Sequence, residues 1–210
     1  MIDHLVYASD DLPRASAAVA DLLGVAPTPG GHHVGHGTYN ELLGLGDATY
    51  LEVIGPDPEQ PAPDGPRPFG IDGLARPVLV AWCVRPTRPL GEIIDEARAG
   101  GIELGDVAAM SRRRPDGVLL EWTLTFPQLN GRFGMALPFM IDWGASSHPT
   151  DALPAVVELL GLEVTHPDSQ SVRTAFDIIG ITNGVELRQG PQPALRATIA
   201  TMAGEVTLAS

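Results

Sequence analysis

The chain has 210 residues, of which 44% are hydrophobic and 19% charged, so it can form a sizeable core and is not disordered over most of its length. Its formal net charge of -13 repels phosphate backbones, which excludes nucleic acid as an expected partner. All 13 basic residues are Arg, which excludes a catalytic lysine that forms a Schiff base.

Three features of the sequence predict a cytoplasmic protein. Cys83 is the single cysteine, so no disulfide can form within the chain. The N-terminus lacks the basic and apolar regions of a signal peptide. No apolar run approaches the roughly 18 residues that a membrane-spanning helix needs. We therefore expect no membrane partner.

Residues 1–55 predict a β-α-β-β-β module. The alternation over residues 2–8 indicates a strand that places three side chains on one face, namely Ile2, His4 and Val6. Apolar residues then recur at helical spacing over residues 12–23, and a glycine follows. Three shorter strands are expected before residue 55.

The same pattern restarts further along the chain. Residues 56–77 are rich in proline and glycine and predict a linker. Residues 78–145 predict a second β-α-β-β-β module, with a first strand at 78–84 and a helix that begins at Pro89. A turn is expected at 115–117, between the second and third strands.

Residues 146–210 predict a partial third module that completes the same domain. The segment 151–161 echoes 14–24 and predicts a helix. Strands are expected at 162–166, 171–180, 184–189 and 195–208. A helix that ends in Leu-Leu-Gly is also common packing and capping, so a true third module and an unrelated segment both stay open.

A repeated module with a histidine in its first strand and a glutamate in its fourth resembles the vicinal oxygen chelate superfamily, which includes glyoxalase I and the bleomycin resistance proteins. Within it, the chain is most similar to the glyoxalase-like domain group. Four stretches carry the resemblance: Ile2–Tyr7, His36–Asn40, Tyr50–Gly55 and Pro138–Gly144.

The resemblance implies an α+β fold in which paired βαβββ modules form a cupped mixed β-sheet with flanking helices. A C-terminal αβββ segment is then additional. It also implies that a divalent metal lies in the cup, held by one ligand from the first strand and one from the fourth strand of each module. Substrate oxygens would chelate this metal. The modules can pair within one chain or across a homodimer.

By the same resemblance, the expected metal ligands are His4, Glu52 and Asp142, and Glu52 is the expected catalytic residue. The donor set would suit Mn, Fe, Ni or Zn, and no nucleotide cofactor is expected. His4 could instead be a core histidine, and Glu52 a solvated edge residue. The second module offers Val80 or Ala81 where the first has His4, so a complete four-ligand site is not visible.

Several polar and aromatic residues are candidates for contact with a small-molecule substrate. Loop and strand residues of the first module could line the cup mouth or satisfy loop backbone, and tryptophans of the second could form an aromatic wall or the core. The predicted substrate-binding residues are His36, Thr38, Asn40, Trp82, Glu121 and Trp143. Arg112–Arg114 is either a solvated strand end or an attraction for an anion.

Two hypotheses for function follow from this sequence. The first is a glyoxalase-like enzyme of the lyase, isomerase or dioxygenase type, acting on a substrate with adjacent oxygens. The alternative is a metal-free protein that binds and sequesters a hydrophobic or aromatic small molecule, as the missing histidine of the second module suggests. The retained His4 and Glu52 favour the enzyme.

Overall fold

The computed structural model describes residues 1–114, 116–126 and 129–210, and it places 12 strands in two sheets. The first βαβββ module comprises β1 (Ile2–Ala8), α1 (Leu12–Leu23), β2 (Thr28–His33), β3 (Thr38–Gly44) and β4 (Tyr50–Pro56). The second comprises β5 (Val78–Val84), α2 (Leu90–Ala99), β6 (Val107–Arg113), β7 (Leu119–Thr125) and β8 (Phe139–Asp142). The predicted modules are therefore present; Pro115 of the predicted turn lies outside the described residues.

Both modules of one chain close into a single barrel with the strand order β1-β4-β3-β2-β6-β7-β8-β5. β1 pairs in parallel with β4 and antiparallel with β5, so the two modules meet along β1. Because side chains alternate across each strand, one set fills the barrel interior and the other faces outward, onto the helices. The two halves therefore share one interior.

The outer face of the barrel is covered by helices whose apolar stripes follow the 3.6-residue period. α1 begins after Asp11, whose side chain accepts the Arg14 backbone N–H, and it ends at Gly24 in the left-handed region. Its buried residues Leu12, Ala15, Val19 and Leu23 pack in the outer core cluster. This packing holds β1 and β4, the two strands that carry the candidate histidine and glutamate.

The C-terminal segment forms a second, four-stranded sheet in the order β10-β9-β11-β12. Its elements are β9 (Glu158–His166), α3 (Ser169–Ile179), β10 (Val185–Gln189), β11 (Ala194–Thr201) and β12 (Gly204–Ala209). A helix at 151–161 followed by strands was expected, whereas in the structure strand β9 comes first and helix α3 follows it. The sheet packs on the outer side of β5, where Trp82 meets Phe176 edge-on with ring centroids 5.6 Å apart.

Three predicted C-terminal elements were wrong, two in type and one in extent. The segment 151–161 is not a helix: a short 3₁₀ turn at Pro149–Ala152 ends before Pro154, and the following residues extend into β9. The segment 171–180 is helical, because Asp168 caps α3 and its buried residues recur at helical spacing. The predicted last strand, 195–208, is two strands joined by a turn.

The proline-rich segment 56–77 is more than a connection between modules. It contains a 3₁₀ turn at Pro68–Gly73, and Ile71 in this turn is fully buried in the interior cluster of the barrel. Arg67 donates to the Gly37 carbonyl and pairs with Asp72, which ties the turn to the start of β3. None of the helices in the described ranges is long and apolar enough to span a membrane.

Candidate functional site

A cavity lies inside the barrel and has two chemically different walls. The polar wall is formed mainly by the first module, and the apolar wall by the second module and the 68–73 turn. The polar side chains are His4, His33, His36, Thr38, Asn40, Tyr50, Glu52 and Arg112. The main apolar ones are Phe69, Met110, Trp122, Leu124, Phe126, Phe139, Ile141 and Trp143. Such a cavity suits a small molecule with one polar end.

A β-bulge in β1 brings two neighbouring side chains to the cavity side. Ile2 pairs with Val84 and His4 pairs with Cys83, so Asp3 is the extra residue of the bulged strand. His4 therefore points inward with Val6, whereas Ile2 packs in the outer cluster. The predicted common face of Ile2, His4 and Val6 was wrong for Ile2, because the bulge interrupts the alternation.

The fully buried Asp3 carboxylate holds His4 in one orientation. It accepts hydrogen bonds from His4 Nδ1 (2.6 Å), Trp143 Nε1 (3.1 Å) and His148 Nε2 (3.0 Å). Burial alone would raise the pKa of Asp3, but the hydrogen bonds from His148 and His4 outweigh it and lower that pKa well below its usual range. The ionised carboxylate accepts the Nδ1 proton, so Nε2 is the ring nitrogen of His4 that is left to face the cavity.

Nε2 of His4 faces a carboxylate across the cavity wall. Glu52 Oε2 lies 3.8 Å from His4 Nε2, and both side chains are buried. The two residues come together because β1 and β4 pair in parallel with Val6 opposite Glu52. With a neutral imidazole both atoms are hydrogen-bond acceptors, and their separation of 3.8 Å is longer than a hydrogen bond. A proton donor or a cation placed between them would satisfy both.

The other oxygen of Glu52 is held by a chain of hydrogen bonds. Asn40 Nδ2 donates to Glu52 Oε1 (2.5 Å) and to His33 Nε2 (3.3 Å), while Asn40 Oδ1 accepts from Arg112 Nη1 (3.1 Å). His33 Nδ1 in turn hydrogen-bonds Thr38 Oγ1 (3.0 Å). Every member of this network is buried, so its geometry is fixed by the surrounding strands.

The environment of His33 keeps its imidazole neutral. Burial lowers its pKa to about 4, and this outweighs the opposite effect of the nearby Glu52 carboxylate. The neutral ring accepts at Nε2 and donates at Nδ1, which matches the bonds to Asn40 and Thr38. Burial also raises the pKa of Tyr50 well above its ordinary value, so its hydroxyl stays protonated.

Lowering the pH should destabilise the fold through His33. The unfolded chain protonates this histidine near its ordinary pKa of 6.5, but the folded protein resists protonation down to about pH 4. The unfolded state then binds more protons between these values, so stability falls as the pH is lowered, by about 3 kcal/mol in total. Denaturant unfolding of the wild type and His33→Gln at pH 7 and pH 4 checks this. Parallel losses in the two proteins would contradict it.

The structure brings all five predicted site residues of the first module together. His4, Glu52, His36, Thr38 and Asn40 all line the cavity. Trp143 lines it from the opposite wall and contacts Trp122, at 5.2 Å between ring centroids. The resemblance therefore named six residues that line one cavity of the barrel.

Three other predicted site residues lie elsewhere. Asp142 is exposed on the outer face of β8, where it accepts the Gly144 backbone N–H, and its neighbour Ile141 points into the cavity. Glu121 is likewise on the outer face of β7. Trp82 is fully buried between the barrel and α3. The alternation of β5, β7 and β8 places all three away from the cavity, so none is in position for its predicted role.

Several residues of the site were not predicted from the sequence. Asp3 alternates to the wrong face unless the bulge is known, and Arg112 resembled a solvated strand end. His33 was visible only as part of a histidine cluster in a glycine-rich stretch. By contrast, Thr38 and Asn40 were predicted, because the pattern Thr38-Tyr39-Asn40 places two polar residues on one face of a strand. The structure buries that face.

The potential metal ligands divide into two sets. Within the described ranges, one group of three lies close enough to share an ion: Asp3, His4 and Cys83. It fits a metal poorly, because donors already occupy Asp3 and burial raises the pKa of the Cys83 thiol well above its ordinary value. His4 Nε2 and Glu52 Oε2 fit better, since atoms 3.8 Å apart can both lie about 2.1 Å from one ion.

Comparisons with known proteins identify a family and a fold for this chain. Residues 2–179 match the family of glyoxalase-like domains. Among curated proteins, no sequence matches the chain. A hypothetical protein from Staphylococcus aureus has a similar solved structure, with 16% identity, coverage of 91% of this chain and 86% of that one, and a TM-score of 0.64.

Two methylmalonyl-CoA epimerase structures are also similar. The epimerase from Mycobacterium tuberculosis is 18% identical, with coverage of 67% of this chain and 84% of that one and a TM-score of 0.41. The epimerase from Streptomyces coelicolor is 18% identical, with coverage of 71% and 98% and a TM-score of 0.44. Of these structures, the one from Staphylococcus aureus supports the fold, and at 16% identity it shows the fold alone. With residues 2–179 matched by the family model, the chain belongs to the family of glyoxalase-like domains.

Proposed function

We propose that this protein is a small-molecule enzyme in which Glu52 moves a proton on a substrate with adjacent oxygens. The observation that carries the proposal is the buried pair of His4 Nε2 and Glu52 Oε2, 3.8 Å apart and lining one cavity. A general base needs a lone pair within reach of the substrate, and the Glu52 carboxylate offers one. The reaction would be of the lyase, isomerase or dioxygenase type.

A divalent metal is compatible with the same two residues. His4 and Glu52 would hold it, and the donor set suits Mn, Fe, Ni or Zn, with water or substrate oxygens at the remaining positions. Such an ion supplies Lewis-acid polarisation of the substrate oxygens. Asp142 is on the outer face of β8, so we do not place it in this set.

The other cavity residues would bind and orient the substrate. The aromatic wall, which includes Trp122 and Trp143, would hold its apolar part by close packing. His36 lines the cavity, and so does Phe69 of the 68–73 turn. This turn would help to exclude water during the proton transfer. The fixed Oε1 of Glu52 leaves Oε2 to accept and return the proton.

Glu52→Gln should abolish the proposed proton transfer. A panel of α-hydroxy ketones and 2-oxo acids, incubated in D₂O, reports exchange of the carbon-bound proton by NMR. For any compound exchanged by the wild type, we expect a 10²–10⁴-fold lower rate, because the amide cannot accept the proton. The control is Glu121→Gln, which removes an exposed carboxylate from the outer face. Equal rates in wild type and Glu52→Gln would refute the role of Glu52.

Elemental analysis of the purified protein tests whether a metal ion takes part. Protein purified without chelators and without a polyhistidine tag should carry about one divalent metal per chain, and the double variant His4→Ala/Glu52→Ala should lose it. If no metal binds even after incubation with Mn, Ni, Zn or Fe, the chelate mechanism is excluded. Proton exchange by Glu52 alone would then remain to be tested by the first assay.

A second candidate function is ligand binding without chemistry. It is favoured by the apolar side chains at the positions where the second module would supply metal ligands. Val80 and Ile141 occupy these positions inside the barrel, and neither can bind a metal. Such a protein would bind a hydrophobic or aromatic compound equally well in wild type and Glu52→Gln. Retained binding together with no exchange and no metal would support this alternative over the enzyme.

A further inference from the structure

The second module contributes a cation to the polar wall instead of a metal ligand. Among its described residues that line the cavity, Arg112 is the one that carries a permanent charge. Its side chain is buried, with 4% of the residue exposed, although the sequence places it in a run of three arginines at a strand end. A buried guanidinium needs a defined partner, and that partner is Asn40 Oδ1 at 3.1 Å.

The adjacent strand is shaped to admit this contact. Gly30 and Gly31 in β2 lie directly over the Arg112 side chain. A Cβ atom at Gly30 would lie well inside van der Waals distance of both Asn40 Oδ1 and Arg112 Nη1, and one at Gly31 would overlap the Arg112 stem. The two glycines therefore make room for the hydrogen bond between Arg112 and Asn40.

The hydrogen bond from Arg112 determines which way the Asn40 amide points. A guanidinium can only donate, so the oxygen of the amide must face Arg112 and its NH₂ group must face the other way. The two hydrogens of that group then reach Glu52 Oε1 at 2.5 Å and His33 Nε2 at 3.3 Å. One carboxylate oxygen is held, and the other is left facing His4.

We infer that Arg112 is a positioning residue that acts through Asn40 to aim the Glu52 carboxylate at His4. The bond from Arg112 polarises the amide and strengthens its donation to Glu52, because hydrogen bonds in a buried chain reinforce one another. The catalytic meaning of this aim rests on the proposed function of Glu52. The hydrogen-bond chain itself does not depend on that function.

The side-chain amide of Asn40 reports on this chain directly. In ¹⁵N-labelled wild-type protein prepared without added metal, its NH₂ signal should be shifted downfield and protected from hydrogen exchange. The signal is identified by its loss in Asn40→Asp. In Arg112→Met we expect an upfield shift and exchange at least about tenfold faster, because the Oδ1 anchor is lost. Arg112→Lys, which keeps one donor, should recover much of the protection.

The matched control is Arg113→Met, which removes the exposed neighbouring arginine that contacts Gly117. It should leave the Asn40 signal as in the wild type. The inference is overturned if the wild type shows no protected Asn40 amide, a result that needs no variant to fold, or if Arg112→Met keeps the wild-type signal. If Glu52 is catalytic, Arg112→Met should also lower kcat more than it changes KM, with partial recovery in Arg112→Lys. If Arg112→Met changes the Asn40 signal as expected but the wild type exchanges no compound, the proposed function is refuted while the positioning role of Arg112 stands.

Discussion

Asp3→Asn is expected to lower the free energy of unfolding by roughly 3–5 kcal/mol, the cost of breaking a buried charged network by changing one partner. The Asp3 carboxylate is fully buried and accepts from His4, Trp143 and His148. An amide of the same size replaces one accepting oxygen with a donor, so at least one of these groups loses its partner. Denaturant unfolding at pH 7 measures the change, with Asp21→Asn, an exposed substitution on α1, as the control.

The pH dependence of the same variant separates the charge from the packing. Because its hydrogen bonds lower the pKa of Asp3 in the folded state, the ionised carboxylate stabilises the fold above the unfolded pKa of about 4. That stability is lost as the pH falls below about 4, where the unfolded chain takes up the proton first. The wild type should therefore lose more stability than Asp3→Asn between pH 4 and pH 2. Equal losses would show that Asp3 is not held as a carboxylate.

Phe176→Ala is expected to destabilise the whole chain by about 3–5 kcal/mol. Phe176 is fully buried in α3 and meets the equally buried Trp82 of β5, so its ring joins the C-terminal sheet to the barrel. Truncation would leave a cavity between these two layers. Because the two layers share one apolar cluster, we predict that they unfold together in a single transition.

Two probes distinguish a single transition from two. Tryptophan fluorescence follows the barrel, since all three tryptophans lie on β5, β7 or directly after β8, and far-ultraviolet circular dichroism follows the whole chain. Both signals should shift together in Phe176→Ala. The control Leu160→Ala removes a half-exposed leucine of β9 and should change stability by less than 1 kcal/mol. A variant in which circular dichroism changes first would indicate that the C-terminal sheet unfolds independently.

The two modules were predictable because they carry strong local signals, whereas the expected cupped sheet proved to be a closed barrel. Alternating strands, the helical spacing of residues such as Leu12 and Val19, and the glycine after α1 all agree with the structure. The C-terminal segment was harder, since Val157–Val164 reads as either an apolar helix or a strand. In the structure the helical turn at Pro149–Ala152 stops before Pro154, and Asp168 caps a helix only after β9. The apolar stretch between them is therefore a strand.

The candidate site was predictable on one side only. His4 and Glu52 stand out because a polar residue among inward-facing apolar neighbours is costly without a partner. Asp142 and Glu121 are polar residues of the same kind, yet both face solvent, because the phase of β7 and β8 depends on pairing with distant strands. A one-residue change of phase moves a side chain to the opposite face, and the local pattern of a short strand does not determine it.

Local periodicity and motifs within single strands were enough to predict the two modules, to suggest the family and to single out His4 and Glu52. The inward turn of Asp3, the contact of Arg112 with Asn40 over two glycines and the entry of the 68–73 turn into the barrel appear only in the folded chain. Each of these depends on the register between segments far apart in the chain. Local patterns cannot encode that register, because it is selected by the packing of all the strands at once.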